Sequence, residues 1–157
     1  MKTSLPALLG LWVIAVAAGC GPQPTRGPEG AADPALRTNG AVEVTARLVE
    51  IPEGAIFQRD LYDYATVLKY EVIEVHRGEV KDPIIFVGHY NPWKPRGEVA
   101  DKRVPHIGGN LRRFRAGQIH RMALESSIED HFMGGIVNKY FGRATNAIYW
   151  AVWTNGD

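Results

Sequence analysis

The chain has a single cysteine, Cys20, so neither a disulfide framework nor a cysteine-rich zinc site can be built from it. It has almost no excess of charge. Its 18 basic and 17 acidic residues leave a formal +1, too little for a protein that binds nucleic acid through bulk positive potential. Beyond the first few residues serine occurs only at Ser126 and Ser127, and no Gly-x-Ser-x-Gly elbow surrounds either. A glycine-rich phosphate loop is missing too. Gly108-Gly109-Asn110 and Gly134-Gly135 lack the strand-to-helix context and the lysine that such loops need. His76, His89, His106, His120 and His131 form no H-E-x-x-H or other closely spaced ligand pair. What is present is a globular composition, 45% hydrophobic and 10% aromatic with 4 Trp in 157 residues. That is enough for one domain with a real core and too apolar for a disordered chain.

Lys2 precedes an uncharged, mostly apolar run from Leu5 to Ala18. The run is shorter than the roughly 20 apolar residues that a bilayer span needs, and it reads as the apolar region of an export signal. It ends in Ala17-Ala18-Gly19-Cys20. This ending resembles the lipobox of bacterial lipoproteins, with Ala17 where that family usually has leucine. The resemblance implies cleavage before Cys20, diacylglycerol on its sulfur and often an acyl chain such as palmitate on the new amine. At about 0.8 kcal/mol per buried CH₂, two or three such chains hold a protein stably on a membrane. Residues 1–19 are therefore expected to be a signal peptide and Cys20 the lipidation site. The protein is expected to be exported and anchored to a cell-envelope membrane, on its periplasmic or extracellular face. Gly21 follows the cysteine, so the aspartate that retains some lipoproteins at the inner membrane does not stand there.

Residues 21–40 contain four glycines and four prolines, a density that opposes both helix and strand ladder. Residues 20–40 are expected to be the lipidated cysteine and a flexible tether, and 41–157 a single β-barrel domain. From Val42 to Leu48 apolar and polar residues alternate, as in a half-buried antiparallel strand. A longer strand is expected over 64–77. Its apolar phase slips near Val72, which calls for a β-bulge. Ile84–Val87 reads as a short apolar strand, Gln118–Glu125 as another, and the alternation around Ile148, Trp150 and Val152 as the last. Ser126 with Glu129 has capping-box spacing and predicts one short helix ending at Gly134-Gly135. The expected fold is all-β, a small Greek-key barrel of about five strands with one short helix.

Val42–Leu48, the stretch Tyr70 to Gly78, Ile84–Val87 and Phe114-Arg115-Ala116-Gly117-Gln118 together resemble the netrin-like OB-fold domain shared with tissue inhibitors of metalloproteases. The resemblance implies an OB-like barrel. The family's inhibitors chelate zinc with a free N-terminal cysteine held by disulfides. The lone Cys20 cannot repeat that arrangement, so protease inhibition is not carried over.

The segment His89-Tyr90-Asn91-Pro92-Trp93-Lys94-Pro95-Arg96 is stiffened by two prolines around a tryptophan. Residues 94–115 hold seven basic residues (Lys94, Arg96, Lys102, Arg103, Arg112, Arg113 and Arg115) against Glu98 and Asp101. Arginine forks match carboxylate and phosphate groups, and aromatic faces stack on sugars or cations. Tyr90, Trp93, Lys94, Arg96, Arg112 and Arg113 are therefore the expected binding residues. The target would be an anionic envelope polysaccharide, a lipid headgroup or a partner protein. No catalytic residue and no cofactor are expected. One alternative is a small metal-dependent hydrolase, with His89, His106 and Asp101 as the candidate ligands and His76, His120, His131 and Asp130 in reserve. Another is a structural interaction lipoprotein with no small ligand, using a barrel edge. Asp60-Leu61-Tyr62-Asp63-Tyr64 reads as a loop entering a strand.

Overall fold

The computed structural model describes residues 33–52, 63–143 and 147–156. The expected signal peptide, Cys20, the tether up to residue 32 and the stretch Asp60 to Tyr62 lie outside the described residues.

Among the described residues, six strands and two short α-helices follow one another. They are α1 (Pro34–Thr38), β1 (Val42–Glu50), β2 (Ala65–Arg77), β3 (Ile84–Tyr90), β4 (Ile119–Ser126), α2 (Ile128–His131), β5 (Ile136–Val137) and β6 (Tyr149–Gly156). The strands pair in the order β1-β4-β6-β3-β2, and β2 returns to β1, which closes a five-stranded barrel. Every contact in the ring is antiparallel except β3 with β6. β5 adds two residues alongside Ala65 and Thr66. The chain is thus a small all-β barrel of OB-like Greek-key form. Among the described residues no helix is long and apolar enough to cross a membrane.

Period-two patterning builds the interior. Val42, Val44, Ala46 and Leu48 of β1 point inward, joined by Leu68 and Tyr70 of β2, Ile85 and Val87 of β3, and Met122 and Leu124 of β4. The phase slip near Val72 is accommodated by a bulge. Thr45 pairs with Glu74 and Ala46 with Val72, so Ile73 has no opposite number on β1. β3 runs three residues beyond Val87. Its Gly88 lies against Ile128, where a β-carbon would come within 2.3 Å of the isoleucine side chain. Outside the barrel, Arg121 grips Glu43 through Nε and Nη2, at 2.9 and 2.6 Å.

Two local expectations shift. The glycine and proline density of 21–40 argued against helix, yet Pro34–Thr38 forms a helical turn. Proline is tolerated in the first turn, where its missing N–H has no partner to lose. Asp33 caps that turn by accepting the Ala35 N–H at 2.9 Å. The other carboxylate oxygen of Asp33 accepts from Trp153 Nε1 at 2.6 Å and Asn155 Nδ2 at 3.2 Å. Arg77 donates to the carbonyls of Leu36, Arg37 and Asn39. The folded unit therefore begins by Asp33, eight residues before Ala41. Likewise α2 is capped one residue later than its spacing suggested. The Ser127 N–H donates to the Asp130 carboxylate at 3.2 Å, and the helix stops at Phe132.

Candidate functional site

Between β3 and β4 the chain crosses one end of the barrel, and the segment that looked unusual in sequence is the lid over that end. Backbone hydrogen bonds seat it. Arg96 N–H donates to Leu111 at 2.8 Å, Leu111 N–H to Thr154 at 3.3 Å and Gly117 N–H to Leu48 at 2.7 Å. Leu111 and Phe114 turn inward, whereas Arg112, Arg113 and Arg115 turn to solvent.

The six residues expected to share a binding face divide between inside and outside. Arg96 is only 1% exposed and Tyr90 is fully buried. Arg96 enters the barrel because the chain folds into a single 3₁₀ turn, Arg96–Glu98. Its Nη2 donates to the carbonyls of Asn91 at 2.6 Å and Lys94 at 3.3 Å, and its guanidinium lies 5.0 Å from the centre of the Phe114 ring. Tyr90 donates its hydroxyl to Asp101 and accepts from Arg103 at 2.8 Å. Lys94 is half-exposed and is held by Asp63, which also accepts from Asn91 at 2.7 Å and Arg103 at 2.8 Å. Trp93 is 37% exposed. Arg112 and Arg113 are exposed, as is Arg115, which sequence reasoning counted in the charge but left out of the site. Among the described residues these three arginines have no carboxylate partner, whereas Lys94 and Arg103 do.

The metal candidates separate. His89 is buried in the barrel, and Asp101 is committed to Tyr90, Arg103 and Val104. Burial pulls the Asp101 carboxyl up, but the Tyr90 hydroxyl and the Arg103 hydrogen bonds outweigh it and hold it at about 2. His106 is exposed and lines a cleft with Arg103, His131 and Trp150. Among the described residues no three His, Cys, Asp or Glu side chains are grouped so as to hold a metal ion. Ser127 serves as a helix cap, and Asp130 is its partner.

Sequence reasoning missed the polar cluster inside the barrel. Tyr70 of β2 lies between His89 of β3 and His120 of β4. Its hydroxyl is 3.1 Å from His89 Nε2 and 3.1 Å from His120 Nδ1. Phe114 closes the group from the lid, with its ring centre 4.6 Å from that of His89 and 5.4 Å from that of His120. Burial pushes the His89 imidazole well below its usual range, with Arg96 and His120 adding to the effect. Burial, then Arg96, pushes His120 down to about 4. Burial brings Arg96 down only to about 10, so it stays a cation at neutral pH while both imidazoles stay neutral. A signal existed in the alternation. Tyr70, His89 and His120 all fall on inward positions of their strands, where a polar side chain needs an explanation.

The chain matches no family model, no curated protein and no solved structure.

Proposed function

We propose that this chain is a lipid-anchored protein of the cell envelope, not an enzyme, and that its barrel is a binding module for an anionic envelope polysaccharide. Arg112, Arg113 and Arg115 carry the reading. They are three exposed guanidiniums within four residues, unpaired among the described residues, on a lid whose Leu111 and Phe114 are fixed in the barrel. Guanidinium forks recognise carboxylate, sulfate and phosphate groups in pairs. A lid already seated loses little conformational freedom when it binds. Trp93, on the same lid, offers partly exposed aromatic surface for a sugar ring. The membrane half of the proposal rests on the small-residue run before Cys20.

Two measurements test it. Intact mass of protein from its native cells should give a chain beginning at a diacylglycerol-modified Cys20, and an unmodified sulfur refutes the anchor. Immobilised acidic polysaccharide should retain the protein in a salt-sensitive manner. Replacing Arg112, Arg113 and Arg115 together by serine should abolish retention while leaving the urea midpoint unchanged. Equal retention of that variant refutes the site.

A further inference from the structure

A buried cation ordinarily has a carboxylate beside it, because an isolated charge in a low-dielectric interior costs several kcal/mol. Arg96 has none among the described residues. Two carbonyls and the Phe114 ring are its company, and its Nε is buried with no hydrogen-bond partner. The outer nitrogens of the two histidines, His89 Nδ1 and His120 Nε2, are buried and unpartnered as well. Tyr70 sets their protonation. A phenol has one hydrogen, so it donates to one imidazole and accepts from the other. The imidazole that receives the phenol's hydrogen bond carries its own hydrogen on the outer nitrogen. The other imidazole has a bare outer nitrogen. The lidded end of the barrel thus holds two N–H groups without an acceptor, one bare imidazole nitrogen and a positive charge that no carboxylate offsets among the described residues. Water could satisfy the hydrogen bonds but would leave the charge.

We propose that the interior lined by Arg96, His89 and His120 binds one small monovalent anion of the halide type. The ion supplies the acceptor that the N–H groups lack and neutralises Arg96. The charged or titratable groups facing the pair are Arg96 from the lid, Tyr70 from β2, and each histidine to the other. This site is independent of the proposed surface arginines.

The test uses the full chain in detergent and reads thermal unfolding in chloride or bromide against sulfate at equal ionic strength. Halide should raise the midpoint where sulfate does not. Arg96→Met should lose the halide effect, and the triple serine variant of Arg112, Arg113 and Arg115 should keep it. Crystals soaked in bromide should show an anomalous peak within hydrogen-bond reach of Arg96, a readout that stands even if Arg96→Met fails to fold. The proposal is overturned by halide and sulfate acting alike, by ordered water alone beside Arg96, or by loss of the effect with the surface arginines.

Discussion

Acidification should loosen this barrel well before its carboxylates titrate. His120 has an unfolded value of 6.5 and a folded value of about 4, depressed first by burial and then by Arg96. A group whose folded pKa is depressed binds its proton more weakly in the native state, so acid favours the unfolded chain. The loss begins as pH falls through 6.5 and is complete once it passes about 4. At about 1.36 kcal/mol per unit, His120 alone removes about 2 kcal/mol by pH ~5 and about 3 kcal/mol at the lower end. His89 acts in the same direction, because burial, then Arg96 and His120, depress it as well. The carboxylates enter only below pH ~5, since their unfolded values lie near 4. The window from about 6.5 to about 5 therefore isolates the imidazoles. Urea unfolding in sulfate buffer across that window should show the midpoint falling steadily, with an unchanged dependence on urea. His120→Gln should flatten the slope by one proton's worth. A midpoint that stays level from pH ~7 to ~5, or a slope that survives His120→Gln, refutes the neutral buried pair.

Phe114→Ala should cost about 3–5 kcal/mol by urea unfolding, because it opens a cavity among Arg96, His89 and His120; a cost under about 1 kcal/mol would mean that the ring is not seated there. Gly109→Ala should lose about 2 kcal/mol or more in the same assay. Gly109 has φ +115, and an added β-carbon would meet the Thr154 carbonyl oxygen at 2.0 Å, so an unchanged midpoint would contradict that backbone. Asp33→Ala should remove about 1–2 kcal/mol of local stability, since Asp33 is both the cap of α1 and the acceptor for Trp153 and Asn155. Faster tryptic cleavage after Arg37, with the barrel intact, is the expected sign.

The barrel was legible because its strands alternate. Val42 to Leu48 announces one buried face, and the slip at Val72 announced the bulge; Ile148 to Val152 alternates as well, though both its faces are covered, Ala151 by the barrel core and Trp150 by a second cluster. Three features were hidden for identifiable reasons. The last residues of β3, Gly88-His89-Tyr90, are not aliphatic, and they are held by pairing with Ala65, Thr66 and Val67 rather than by their own pattern. α1 depends on Asp33 finding Trp153 and Asn155, contacts more than a hundred residues away in sequence. Arg96 looked like surface because arginine usually is. Its burial depends on the 3₁₀ turn and on carbonyls that only the folded lid presents. Within the candidate site, the charge run pointed to the right segment. Sequence alone could not separate Lys94 and Arg103, neutralised by Asp63, from the three arginines that stay unpaired among the described residues.

The docking of α1 sets a distance. With Asp33 fastened to β6, only residues 21–32 separate an anchored Cys20 from the folded unit. At 3.3–3.6 Å per residue, that stretch reaches at most about 43 Å, whereas a tether running to residue 40 would reach at most about 72 Å. An anchored barrel would work within a shallow layer above its own bilayer, and a target lying deeper in the envelope would have to come to it.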